Sequence, residues 1–319
     1  MTTYKGLMRS ANATFKRIEK AEKMRLKEEL LDNAAQAVET YNEFITTLTS
    51  FHKDVSAPVD WKEILRKKAP EEPGEYDLNE RKATKKLENF MPSFFDRLLR
   101  LEKSKKNRLE KDLIIAQKKD LITLEKAKKE YIIQKEEWEK FHRIANGVLD
   151  KDTDACKDAV HLFDPFSKVQ NLGTQVNFTF NTNYVVADLL VQTDEVIPRQ
   201  VLSLTATGKL SKKDLPVSKF NDLYQDHICS CLLRIGREVL ALLPVDFVIV
   251  NIISDLLNTS SGRIEQSTIL SAAIFPETLE KLHFDKIDPS DSLRNFKHNM
   301  DFSKTTGFKP VEKLEGKCF

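Results

Sequence analysis

Glycine is scarce in this chain, with nine in 319 residues, and only Gly6, Gly74 and Gly147 fall in the first 150. Each of those three lies near an end of a helical pattern, where glycine costs least. Cysteine is scarcer still: Cys156, Cys229, Cys231 and Cys318 follow no regular spacing. Cys229 and Cys231 sit too close together in a predicted helix to bridge one another. No disulfide framework is implied, and a reducing, cytoplasmic setting is expected.

An excess of one charge is also missing. The 51 basic and 49 acidic residues leave a net charge of +2. A dedicated nucleic-acid binder usually carries a marked basic surplus, and a chain held disordered by self-repulsion needs a surplus of either sign. No apolar run approaches the roughly 18 residues that a membrane span requires. The longest, Val245 to Ile253, contains Asp246 and Asn251 and is strand-sized. The amino terminus reaches charge before any apolar run forms, so no signal peptide is expected. Phosphate-cradling G-x-x-x-x-G-K-[ST] and G-x-G-x-x-G patterns are absent, as is G-x-S-x-G.

What is present is helical periodicity. From residue 3 to residue 52 apolar residues recur every three or four positions: Leu7, Ala11, Phe15 and Ile18, then Leu26, Leu30, Ala34, Ala37, Tyr41, Ile45, Leu48 and Phe51. Lys, Glu, Arg and Asn fill the intervals, the pattern of an amphipathic coiled-coil helix. Pro58, Pro70, Pro73 and Gly74 break it. Inside the break, Asp60 caps a short predicted helix containing Trp61. A second stripe runs from Pro92 to Leu149 through Phe95, Leu98, Leu101, Leu109, Leu113, Ala116, Leu124, Ala127, Tyr131, Trp138, Phe141, Ala145 and Val148. A helix of that length would span about 87 Å at 1.5 Å per residue. Its stripe needs a long partner, either residues 3–52 in an antiparallel hairpin or a second copy of the chain.

Near Asp150–Asp154 the pattern changes. Phe163–Phe166 and Gly173 mark a loop, and Val176–Val191 reads as two strands around the Asn181-Thr182-Asn183 turn. Val201–Ala206 is expected as a third strand, and Ser218–Leu243 as a helix stopped by Pro244. Val245–Ile253 is apolar on both faces, hence a central strand. Thr268–Phe275 follows as another strand, and Asp288 opens a short helix reaching Met300. The fold class is therefore α+β: a coiled-coil hairpin over residues 1–150, then a sheet with helices mainly on one face over residues 151–319.

Four residues are candidates for a site: Asp188, His227, Arg234 and Glu238. The last three follow one edge of the 218–243 helix, with Cys231 between them. A functional reading makes His227 an acid or base, Glu238 a carboxylate and Arg234 an anion contact. A structural reading makes Arg234 and Glu238 an i,i+4 ion pair beside a core histidine. Structure is favoured, because burying unpaired charge is costly. His227 and Cys231 have the spacing of two metal ligands, but no second pair completes a zinc set, so no metal or cofactor is expected. Asp188 interrupts an apolar strand as a nuclease carboxylate would, yet (D/E)-x-K never falls in a predicted strand. It is expected to face solvent or pair with an arginine.

Phe178 and Phe180 could stack bases, but their neighbours are Asn and Thr, and alternation toward a core is favoured. Gly208–Lys213 reads as a basic loop. Acids alternate through the lysine-rich Lys103–Lys129 stretch, as on the flanks of a coiled coil. The resulting expectation is a non-enzymatic interaction or scaffold protein, whose arm self-associates or binds a protein partner. Nucleic acid is not the favoured partner, and no membrane is expected. The alternative is an enzyme or nucleic-acid-processing factor with its site in the carboxy-terminal α+β domain.

Overall fold

Helix α1 runs unbroken from Tyr4 to Thr49 in the computed structural model, which describes residues 4–94, 98–166, 175–191 and 196–319. The side chains of Leu7, Ala11, Phe15, Ile18 and Leu26 lie outside the described residues, as do Phe95 and Gly173. The chain divides into two compact units: Met1–Val59 with Lys151–Phe319, and Asp60–Asp150.

In the first unit, six strands form one mixed sheet. They are β1 (Gln175–Phe180), β2 (Tyr184–Val191), β5 (Phe247–Asn258), β6 (Arg263–Ile274), β7 (Lys297–Ser303) and β8 (Gly307–Lys309), in the order β1-β2-β5-β6-β7-β8. β1 and β2 pair antiparallel around the asparagine turn, as the sequence predicts. β2 and β5 are parallel, with Asp188 level with Asn251, and the remaining pairs are antiparallel. β5 lies inside the sheet, as its two apolar faces require. Between β2 and β5 the chain makes a separate hairpin, β3 (Gln200–Leu204) with β4 (Leu210–Asp214). The stretch expected as a basic loop is thus partly strand: Leu210–Asp214 is held by register to β3.

A second difference lies after Asp288. Its carboxylate caps Ser290 and Asp291, as expected, but the helix ends at Ser292 and Lys297–Ser303 joins the sheet beside β6. Pairing of Lys297–Met300 with an existing edge gives their backbone groups partners that a short isolated helix would leave to water.

Helix α6 (Val217–Leu242) packs on one face of the sheet, where Gly236 meets Ile274 so closely that a Cβ would clash. The other face carries Phe247, Ile249 and Ala273 with Tyr184, Val186, Phe275 and Leu314. There the carboxy-terminal tail, not a helix, supplies the cover. The Phe319 ring lies 5.2 Å from Phe247 and 5.6 Å from Phe275. Short helix α5 (Thr153–Phe163), capped by Asp152, lies against β1.

The described part of α1 has its packing partners in this same unit, against α6 and the β3–β4 hairpin. Ala34 and Leu48 of its stripe are buried. At the hairpin turn Gly208 has φ 76°, and a Cβ there would stand 3.1 Å from Leu31 Cδ2. Both the left-handed backbone and the close helix ask for glycine.

The second unit is all helix: α2 (Trp61–Arg66), α3 (Leu78–Glu88) and α4 (Glu102–Leu149). Asp60 accepts from Glu63 N at 2.9 Å, the expected cap of α2. The left-handed Arg100, φ 55°, interrupts the pattern that Pro92 opens, so α4 starts at Glu102 and measures about 72 Å. α2 and α3 pack on α4. The buried Asp120 of α4 caps the start of α3, accepting from Asn79 Nδ2 at 2.6 Å and Glu80 N at 2.8 Å. Trp138 Nε1 donates to Lys67 O at 2.8 Å, and its ring lies 3.9 Å from His142.

Candidate functional site

Residues 227 to 236 of α6 are buried on every side of the helix. A helix enclosed all round is usually apolar all round. α6 differs because the segment from Leu48 to Val59 runs along its polar edge and offers each polar side chain a partner in turn, although Arg234 Nε stays buried without one among the described residues. His227 Nδ1 donates to Leu48 O at 3.0 Å. Ser230 Oγ accepts from His52 N at 3.0 Å and lies 2.9 Å from His52 Nδ1. Arg234 donates to Phe51 O at 3.3 Å, to Asp54 Oδ2 at 3.4 Å and to Glu238 Oε1 at 3.3 Å. Glu238 also accepts from Ser56 N at 3.3 Å. Val59 N closes the seam on Ala241 O at 2.8 Å.

Burial sets the electrostatics here. It holds the His227 imidazole below its ordinary pKa, opposed by the Leu48 carbonyl, so the ring is neutral at pH 7. His52 is lowered too, first by burial and then by Lys53. Burial pushes the Cys231 thiol up to about 12, against the pull of Arg234, and Cys229 well up also. Neither thiol is a nucleophile in that state. Cys231 Sγ lies 3.8 Å from His227 Nε2, but among the described residues no group of three or more His, Cys, Asp and Glu could hold a metal.

Asp188 stands on the other face of the sheet. It accepts from Asn251 Nδ2 at 2.8 Å, Asn251 accepts from Ser271 Oγ at 2.6 Å, and Ser271 Oγ accepts from Leu314 N at 2.9 Å. Its second oxygen pairs with Lys313 at 2.8 Å. The partner is a lysine of the tail rather than an arginine. The ladder crosses three strands and ties the tail down. The structure thus brings His227, Arg234 and Glu238 onto one seam and puts Asp188 across the sheet from them.

Two contributors to the seam carry no mark in the sequence pattern of α6. Ser230 reads there as a neutral small residue. Arg237, at the helix edge, donates to His52 O and lays its guanidinium 3.6 Å over Phe284. The signal that could have found them is the 3-4-3 spacing of residues 227, 230, 234 and 237 along the same edge.

A cleft of about 980 Å³ opens where α6 meets β7 and the short helix α8 (Pro289–Ser292), after the one-turn helix α7 (Pro276–Leu279). Asp226 lies in it, held above the usual carboxylate range by burial and then by Asp288, Asp222 and Asp291, although Ser290 offers it a hydrogen bond. Lys219, Lys304 and Arg294 line the same cleft, and Asp222 pairs with Lys304 at 3.1 Å. Its charges are mixed and largely answered within the wall.

Among the described residues no helix is long and apolar enough to cross a membrane. Compared with known proteins, the chain matches no family model, no curated protein and no solved structure.

Proposed function

We propose that this is a non-enzymatic interaction protein in which α4 acts as a coiled-coil docking helix for a protein partner. The observation that carries the reading is a second apolar stripe on α4. Ile114, Ile115, Leu121, Ile122, Ile132 and Ile133 are each between 51% and 65% exposed. At 100° per residue they fall within an arc of about 120°. The stripe that runs through Leu109, Leu113, Ala116, Leu124, Ala127, Tyr131 and Trp138 occupies the opposite side and is buried or half-buried. One long helix therefore offers two apolar faces, and α2 and α3 cover only one of them. Three exposed apolar doublets along one helix face, with charged residues between them, are the kind of surface that a partner covers.

The candidate residues of the sheet unit support the same reading from the other direction. Each is engaged inside the chain, and the four do not converge on an open site. That weighs against the alternative of an enzyme or nucleic-acid-processing factor centred on them.

Photo-crosslinking in the native cell tests the proposal. Benzoylphenylalanine in place of Ile122 should join the protein to another polypeptide, and the same group in place of the exposed Glu75 should not. Equal, background crosslinking at both positions would refute the docking reading.

A further inference from the structure

Resting on that docking reading, we infer that the partner of the exposed α4 stripe is α4 of a second copy of this chain, laid antiparallel about a centre between residues 123 and 124. Three doublets make up the stripe, Ile114-Ile115, Leu121-Ile122 and Ile132-Ile133. The outer two are equidistant from that centre. In an antiparallel pair Ile114 of one copy comes level with Ile133 of the other, and Ile115 with Ile132. The central doublets then lie within about one helical turn of each other.

The charges on the stripe decide the direction. Lys111, Lys118, Glu125, Lys129 and Glu136 fall on the same face as the doublets, and all five are exposed. A parallel pair in register would set every one of them against its own like. The antiparallel pair sets Lys111 against Glu136 of the second copy at one end, and Glu136 against Lys111 at the other. Lys118 comes level with Lys129 of the second copy, and Glu125 lies within about one turn of both. The lysine stems can lie along the apolar doublets while their heads reach water. Direction in coiled coils is commonly set by flanking charge of this kind.

The full-length chain provides the test. Sedimentation velocity over a hundredfold range of concentration should show a monomer–dimer equilibrium. Ile122→Glu should leave a monomer that melts with the parent at the lowest concentration. Lys111→Glu should weaken the dimer at least tenfold, and Lys111→Glu with Glu136→Lys should restore it. In a Cys318→Ser background, Ile114→Cys and Ile133→Cys chains should form a mixed disulfide dimer under mild oxidation when combined, and none when oxidised separately. A chain that stays monomeric throughout, a dimer that survives Ile122→Glu, or either cysteine variant crosslinking to itself would overturn the inference. A monomeric chain that still crosslinks through position 122 to a different polypeptide would refute self-pairing alone. The docking reading would then stand.

Discussion

On α6, one helix edge carries His227, Ser230, Arg234 and Glu238 into a dry interior, whereas α4 holds six isoleucine and leucine side chains out in water. Both depart from the usual partition of residue types, in opposite directions. On α6 each of these side chains meets a partner supplied by the segment from Leu48 to Val59 or by its own helix, with Arg234 Nε their one buried atom left unpaired among the described residues, so the departure is largely resolved within the chain. On α4 the apolar face is left over after α2 and α3 have packed. Buried charge that is answered inside a fold holds that fold together. Exposed apolar surface that is not answered inside calls for something outside.

The largest way to break this contrast is to unpair the α6 seam. Arg234 and Glu238 side chains are 4% and 1% exposed. Removing one partner strands the other, at a typical cost of roughly 3–5 kcal/mol. Arg234→Ala should sit near the top of that range, because among the described residues Glu238 then keeps the Ser56 amide as its one hydrogen-bond donor. Glu238→Ala should sit lower, because Arg234 retains Asp54 and the Phe51 carbonyl. Urea denaturation measures both. Two variants as stable as the parent would transfer these residues from structure to chemistry.

A smaller effect is expected where α6 touches the sheet. Gly236→Ala places a methyl group against the end of Ile274, and overpacking of this kind costs about 1–3 kcal/mol. Ile274→Val removes the obstructing carbon and should recover much of the loss in the double variant. Additive losses would mean that the helix does not sit as closely on β6 as Gly236 implies.

The third effect is one of pH. His227 and His52 both have their folded pKa lowered, chiefly by burial. Below about 6.5 the unfolded chain takes up these protons more readily than the fold does, so stability must fall as pH drops through that value toward the folded pKa values. It is fully present above. Asp226 works with the opposite sign: its folded pKa is raised, so its ionised form disfavours the fold as pH rises past that pKa. Asp226→Asn should raise the melting temperature at neutral pH, with the gain fading in acid. His227→Asn should flatten the loss between neutral and mildly acidic pH.

How far the sequence foretells this arrangement depends on distance along the chain. The asparagine turn between β1 and β2, the Asp60 cap, the central β5 and the i,i+4 spacing of Arg234 and Glu238 are local, and each was legible from a few neighbouring residues. The partners of the α6 edge were not, because Leu48 to Ser56 lie some 180 positions away. A stripe announces that a helix has a face to bury without naming what covers it, which is why the packing of α1 on α6 and β3–β4 could not be read. β7 was missed although His298, Met300 and Phe302 alternate, because the Asp288 capping signal just before them is strong and local. The second α4 stripe was hidden by the first: its doublets fall between the positions of a single heptad pattern.

The smallest expected effect on stability is also the one that separates the two helices most sharply. Ile122 is 65% exposed, and substitutions at such positions usually change stability by no more than about 0.5 kcal/mol. Ile122→Glu should therefore melt with the parent when both are measured as monomers at low concentration. If the stripe is covered by a second copy, the parent alone should gain stability as concentration rises, since association favours the state that binds. The melting curves of parent and variant should then part at high concentration and converge at low. Curves that stay together at every concentration would leave the stripe without a like partner. A variant that melts lower even at the lowest concentration would mean that Ile122 already packs inside the chain, and α4 would cease to be the counterpart of α6.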